Sequence, residues 1–280
     1  MYVYSDLQRD CCKLCRGGTE CGSIGRSLTG AHLVYFHFGP QSGGQIIIQG
    51  GMHAREWVTS VLMMRQAFAL VGKKLPVGLF LIPMTNPDGV TLAQKGTDAF
   101  PSFAEGLTAV NGGSRNFSLW KANARGVDIN CNFDARWGQG AGNVRSPAPE
   151  SCIGAYPESE PETAALARFT RKVRPVMTLS YHALGREVYY EFGQQGKAWE
   201  RDRAIAKAVG NFLDYEVVDG DLGSAGGYKD WCVSELGIPA LTVEIISGAH
   251  THPLDERDLE GEEKNLWLPL LLTELMKKNL

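Results

Sequence analysis

His53 and Glu56 stand three residues apart in Gly50-Gly51-Met52-His53-Ala54-Arg55-Glu56-Trp57. The segment follows the apolar run Gln45 to Gln49 and leads into a helical stretch. Both side chains therefore sit at a strand-to-helix turn, from which they can converge on one ion. Imidazole nitrogen and carboxylate oxygen are suitable zinc donors, and the paired glycines let the backbone turn tightly. A second histidine, His182, ends the strand-like segment Leu179-Ser180-Tyr181-His182-Ala183. Parallel-sheet enzymes carry their sites at such carboxyl ends. Taken together, His53, Glu56 and His182 offer a His2Glu set with a fourth position open for water, the pattern of a catalytic zinc. Glu244, in Leu241-Thr242-Val243-Glu244-Ile245, is a carboxylate in an otherwise apolar strand, where burial is costly unless the group has a task. Facing water activated by such a zinc, it would act as general base and then pass the proton to a leaving amine. Each feature alone has a plainer reading: a chance His-x-x-Glu, a core histidine, an ion-paired glutamate.

The elements around these residues alternate. Gln45 to Gln49 and Val77 to Pro83 read as buried strands, the second ended by the turn signal Asn86-Pro87-Asp88-Gly89. Val176 to Tyr181, Glu187 to Phe192 and Ala240 to Ile246 read as further strands. Helical stretches are expected over Glu56 to Val71, Ser159 to Arg174, Trp199 to Leu213 and Glu256 to Lys277. Such alternation predicts a three-layer α/β sandwich (αβα) with a mixed, largely parallel sheet, formed as a single domain over residues 1–280. The stretch from Gly96 to Ala155 is rich in Gly, Asn, Ser and Pro and reads as loops that build a site.

The chain has 280 residues, 44% of them hydrophobic, and a formal net charge of −3. That charge argues against nucleic acid or an anionic membrane surface as the main partner, because both need a basic face. No apolar run approaches the length of a membrane-spanning helix. The polar, cysteine-rich start, Met1 to Arg16, lacks the apolar core of a signal peptide, so a cytoplasmic location is expected. Seven cysteines without regular spacing fit reduced thiols. Four crowd the first 21 residues: Cys11, Cys12, Cys15 and Cys21. A structural zinc site there would want a second well-spaced pair, so these thiols read as small side chains on the inner face of an amphipathic first helix. His250 and His252 read as a polar loop after the Glu244 strand.

In combination, these residues resemble the zinc carboxypeptidase family, the carboxypeptidase A-like metallopeptidases. Asn86-Pro87-Asp88-Gly89 is similar to the family's NPDG segment. Gly126-Val127-Asp128-Ile129-Asn130 is similar to its GVDxN segment, Trp120-Lys121 to its tryptophan-basic pair, and Ser180-Tyr181-His182 to its ligand strand. The resemblance implies one zinc ion per chain on His53, Glu56 and His182, Glu244 as general base and acid, and a peptide substrate. It places the oxyanion-stabilising cation at Lys121 or, with a shorter loop, at Arg125, and it makes Arg55 and Asn130 substrate-binding residues. Closer likeness lies with the bacterial branch resembling γ-D-glutamyl-diaminopimelate peptidases, through Trp120 to Asp128, Tyr181 to Gly185, Tyr189 to Gly193 and Ala225 to Trp231.

Two positions depart from the family pattern. Cys131 stands where the family has the arginine that grips a substrate carboxylate, and a thiol cannot do so. Arg136 or Arg145 in the neighbouring loop would then supply the cation. The family's mobile tyrosine falls near Leu222, and Tyr228 is the nearby substitute. These departures leave room for a non-catalytic relic that binds peptides or cell-wall fragments, or for an amidase or deacylase on the same scaffold.

Overall fold

The computed structural model describes residues 1–220 and 223–277. The position near Leu222 lies outside the described residues. Eight strands form one sheet: β1 (Glu20–Arg26), β2 (His32–Phe38), β3 (Gln45–Gln49), β4 (Gly78–Ile82), β5 (Met177–Gly185), β6 (Glu187–Tyr189), β7 (Glu216–Val218) and β8 (Ala240–Ser247). Their spatial order is β1-β2-β4-β3-β5-β8-β6-β7. The centre is parallel, with β3 between β4 and β5, and β8 beside β5. The β1–β2, β2–β4 and β6–β8 pairs are antiparallel. The helices are α1 (Tyr4–Arg16), α2 (Val58–Leu70), α3 (Pro87–Lys95), α4 (Ala104–Val110), α5 (Pro161–Val173), α6 (Gly196–Leu213), α7 (Tyr228–Leu236) and α8 (Leu268–Lys277). None is long and apolar enough to cross a membrane among the described residues.

The isoleucine run of β3 shows why this is a sandwich. Successive strand side chains face opposite sides of the sheet. Ile46 and Ile48 join one apolar cluster with residues of α1, α2, α6 and α8, whereas Ile47 joins a second with residues of α5 and α7. All three are fully buried, each contributing about 1.5–3 kcal/mol. A strand covered on both faces has no polar side, so it reads as a continuous apolar run.

Several boundaries differ from the sequence expectation, each for a local reason. The helix expected from Glu56 begins as a 3-10 turn, Ala54–Glu56, before α2 starts at Val58. Asn86-Pro87-Asp88-Gly89 is not a free turn: the Asn86 side chain accepts from the Gly89 backbone N–H at 2.9 Å and opens α3 with Pro87 in its first turn. The last helix is shorter than expected because Gly261, at φ +88°, interrupts the chain between two 3-10 turns before α8. The strand from Glu187 stops at Tyr189. Within the segment expected to be irregular, α4 packs Leu107 against Phe117, Trp120 and Ala122.

The expectation of wholly reduced thiols is corrected at one pair. Cys15 and Cys21 form a disulfide, with Cα atoms 6.1 Å apart. The chain leaves α1 through Gly17 and Gly18 and doubles back into β1, which sets the two residues opposite each other. Cys11, Cys12, Cys131, Cys152 and Cys232 are free.

Candidate metal centre

The turn after β3 is built around Gly51. Its φ is +59°, and a Cβ there would lie 2.4 Å from Ser60 Oγ. The Gly51 N–H donates to Thr59 Oγ1 at 2.8 Å, and Asn86 Nδ2 donates to Met52 O at 3.1 Å. These contacts fix the chain that presents His53 and Glu56. His182 comes from the adjacent strand β5, and Glu244 lies directly beside it on β8. Residues from three segments remote in sequence thus meet at the carboxyl ends of neighbouring parallel strands.

His53 Nδ1 lies 2.9 Å from Glu56 Oε1, and His182 Nδ1 lies 3.0 Å from Glu56 Oε2. The two Nδ1 atoms are 2.9 Å apart. All three side chains are buried, and their ligand atoms lie within 4.8 Å of one another. Nitrogens bound tetrahedrally to zinc at about 2.0–2.1 Å sit roughly 3.3 Å apart, so the cluster needs to open by only a few tenths of an ångström to accept the ion. The local charges also call for a cation. Burial disfavours a charged His53, yet Glu56 and Asp128 outweigh it and raise the imidazole pKa. Burial would raise Glu56, but His53 and His182 hold it well below the usual carboxylate range. Nitrogen and carboxylate donors converging in a dry pocket fit zinc.

Asp128 is the residue whose role sequence reasoning missed, although it lies inside the GVDxN-like segment. It is fully buried, and its Oδ1 lies 3.4 Å from His53 Nε2 while Oδ2 lies 3.5 Å from Lys121 Nζ. It backs the first histidine, and metal-ligating histidines commonly use the far nitrogen in this way. Burial opposes the Lys121 charge, but Asp128 and Glu56 prevail and keep the ammonium protonated. Arg125 is placed differently: half-exposed, it pairs with Glu160 at 3.5 Å.

Glu244 is closely packed yet keeps access to a cavity of about 240 Å³ that it lines with Asn130, Tyr189, Glu191, Lys229 and Asp230. Burial pushes its carboxyl up to about 8; His182 and Lys121 oppose this and Glu56 adds to it. Arg55 pairs with Glu150 at 3.2 Å and reaches the Leu119 carbonyl at 3.4 Å. Asn130 Oδ1 accepts from the Tyr228 backbone N–H at 3.0 Å. The turn before α7 crosses close over this point: a Cβ on Gly226, at φ +80°, would lie 2.4 Å from the Cys131 carbonyl oxygen. Burial, with Asp128, pushes the Cys131 thiol up, so it carries no charge of either sign at neutral pH.

Three expectations about the pocket are corrected. Tyr228 does not stand in for the mobile tyrosine, because it is fully buried and its hydroxyl lies 2.8 Å from Thr170 Oγ1. Arg136 lies over the Phe192 ring at 4.3 Å and lines a different cavity with Glu235. Arg145 lies over Trp137 at 5.6 Å. Among the described residues neither lines the Glu244 cavity, and the cation that does is Lys229. His252 lies in the loop after β8, as expected, beside the Ala183 backbone, and burial lowers its pKa.

Comparison with known proteins agrees with this geometry. The family model described as zinc carboxypeptidase matches residues 9–268. The chain is 33% identical over 235 residues to the γ-D-glutamyl-L-diamino acid endopeptidase 1 of Lysinibacillus sphaericus, covering 78% of this chain and 59% of that protein. It therefore spans less than two thirds of that relative's length. It is 32% identical over 240 residues to murein peptide amidase A of Escherichia coli (strain K12), covering 81% of each. In fold it is similar to bovine thrombin-activatable fibrinolysis inhibitor, with a TM-score of 0.82 at 19% identity over 100% of this chain and 99% of that one. With the family model spanning nearly the whole chain and the metal-ligand pattern assembled at the sheet's carboxyl edge, this chain belongs to the zinc carboxypeptidase family.

Proposed function

We propose that this protein is a zinc-dependent peptidase that hydrolyses a γ-D-glutamyl-diamino acid bond in bacterial cell-wall peptides. The observation that carries the reading is the buried convergence of His53, Glu56 and His182 beside Glu244. The names of the two bacterial relatives support the substrate class. When bound, zinc would lower the pKa of a coordinated water to about 7 and polarise a carbonyl. Glu244 takes the proton of the attacking water and hands it to the leaving amine. The Lys121 ammonium, kept charged by Asp128, stabilises the oxygen on which negative charge develops. Lys supplies the charge without the bidentate fork of Arg. Asn130 and Arg55 orient the substrate backbone.

The test is a zinc determination followed by hydrolysis assays on a γ-D-Glu-diaminopimelate peptide, a peptide with C-terminal Lys and an N-acyl amino acid. One zinc per chain, lost in His53→Ala, is expected, together with cleavage of the first substrate. Glu244→Gln should retain zinc and lose about 10²–10⁴-fold in rate. Full activity in that variant, or no bound metal in the unmodified protein, refutes the reading.

A further inference from the structure

Three cysteines meet where α1 turns back into β1. Cys11 and Cys15 stand one helical turn apart in α1, so their side chains share a face. Cys11 Sγ lies 3.5 Å from Cys15 Sγ. Cys21 is the second residue of β1, and the return through Gly17 and Gly18 brings it to the same point, bonded to Cys15. The three sulfurs lie within 4.8 Å of one another, and all three residues are half-buried. Among the described residues, two groups of His, Cys, Asp or Glu gather closely enough to hold an ion: this one, and His53 with Glu56 and His182. β1 is the edge strand, separated from β3 by β2 and β4, so the two groups are distinct.

Packing alone asks for less. Cys11 and Cys21 lean on the main apolar cluster, a task for which any small apolar side chain serves. Convergence of three sulfurs asks for a shared partner. Sulfurs bound to one zinc at about 2.3 Å stand roughly 3.8 Å apart. Cys11 and Cys15 need to part by only a few tenths of an ångström to reach that spacing. Once the Cys15–Cys21 bond is reduced, side-chain rotation separates those two sulfurs across a Cα distance of 6.1 Å. Thiolates select soft cations, Zn(II) and Cu(I), whereas Mg(II) and Ca(II) take oxygen. A coordinating thiol is deprotonated outright by the ion, and the negative pole of the α1 dipole beside Cys15 also favours a cation. Cys12 is exposed and outside the group, which leaves the fourth position of a tetrahedral ion to water.

We propose that Cys11, Cys15 and Cys21 form, in the reduced chain, a second metal site for one thiophilic cation, Zn(II) or Cu(I), and that the Cys15–Cys21 disulfide is its ion-free alternative. Either form ties the end of α1 to the start of β1. The exchange balances with a low-molecular-weight disulfide as oxidant. Cys15 and Cys21 thiolates give up two electrons and join, the oxidant leaves as two thiolates, the ion is released and Cys11 takes up a proton. The site stands independently of the peptidase reading.

The test compares the zinc-loaded full chain before and after reduction with a phosphine, handled without oxygen. The readout is the gain in bound metal on reduction, so it does not depend on how fully the His53 site is loaded. Co(II) is the spectroscopic probe for Zn(II): thiolate ligation gives sulfur-to-cobalt charge-transfer absorption, which a site of two histidines and a glutamate, having no sulfur, does not produce. Cu(I) is titrated in parallel against a chromophoric chelator. The reduced chain is expected to take up one further ion of at least one of the two cations, with a Kd below about 1 μM. Cys11→Ser should weaken this binding by at least about 100-fold, beyond the loss of an outer partner, while Cys12→Ser changes it by less than about threefold. Cys11→Ser leaves the disulfide pair intact, so its folding is checked in the oxidised form. Oxidised glutathione should release the ion and abolish the absorption. No uptake of either cation on reduction overturns the proposal. So does a Cys12→Ser loss as large as that of Cys11→Ser, or retention of the ion after the disulfide has re-formed.

Discussion

Replacing Asp128 by Asn tests how the first histidine is held. The substitution keeps shape and volume but removes the charge behind the metal cluster. Asp128 Oδ1 lies 3.4 Å from His53 Nε2 and also accepts from the Asn130 N–H at 3.1 Å; Oδ2 accepts from the Ser151 N–H at 3.2 Å and faces Lys121 Nζ at 3.5 Å. An asparagine has a single oxygen and so satisfies only one side of this arrangement. His53 loses the anion that raises its basicity, and Lys121 loses its counter-ion. Loss of such an outer partner costs about 10- to 100-fold in metal affinity, equivalent to about 1.4–2.8 kcal/mol. Chelator competition at neutral pH measures the zinc Kd directly. A second readout is the stabilisation conferred by a fixed zinc excess, which scales as RT ln(1 + [L]/Kd) and should fall by the same amount. The metal-free variant should also be less stable by about 1–3 kcal/mol, from the buried donor left without a partner. A folded variant whose zinc Kd lies within twofold of the unmodified protein would refute the view that Asp128 orients and charges His53.

Two further outcomes concern the framework. Burial pushes the Glu162 carboxyl up to about 7, with Leu28 N–H and Asn123 opposing and Asp88 adding to the rise. A folded pKa above the ordinary 4.5 means that its stabilising share is complete below that value and is lost as pH rises through 7. The loss is on the order of 3 kcal/mol, so Glu162→Gln should gain relative to the unmodified protein between pH 5 and pH 8 in urea unfolding; a pH-independent difference would contradict this. Glu262, buried, accepts from Ile246 N–H at 3.2 Å, Arg186 Nε at 3.0 Å, Asn265 Nδ2 at 2.9 Å and the Tyr215 hydroxyl. Ile246 follows Glu244 by two residues and adopts φ +64°, a conformation that β-branched residues avoid. Glu262→Ala should cost about 3–5 kcal/mol, and a loss under about 1 kcal/mol by chemical denaturation would show that the strand end holds itself.

The layered α/β architecture was legible because a parallel sheet covered on both faces writes itself as short apolar runs: Gln45 to Gln49, Val77 to Pro83 and Ala240 to Ile246. The convergence of His53 and Glu56 was legible because three residues across a strand-to-helix turn are neighbours by local geometry alone. His182 and Glu244 were legible because each ends or interrupts such a run, and those runs proved to be adjacent strands. The remainder depended on direction rather than position. Lys121 and Arg125 are four residues apart in a loop without periodicity, and only the packed structure turns the first towards Asp128 and the second towards Glu160. Tyr228 has the right chemistry for a mobile phenol, but the helix it begins faces it into the core. Arg136 and Arg145 lie close in sequence to Cys131 yet stack on aromatic rings elsewhere, while Lys229 reaches the cavity from α7. The sequence by itself thus determined the fold class, which follows from periodicity, and with the family resemblance it singled out His53, Glu56, His182 and Glu244, which the structure brings together. Tertiary packing alone decided which cations enter the pocket, because the course of a loop and the facing of its side chains depend on contacts made far along the chain.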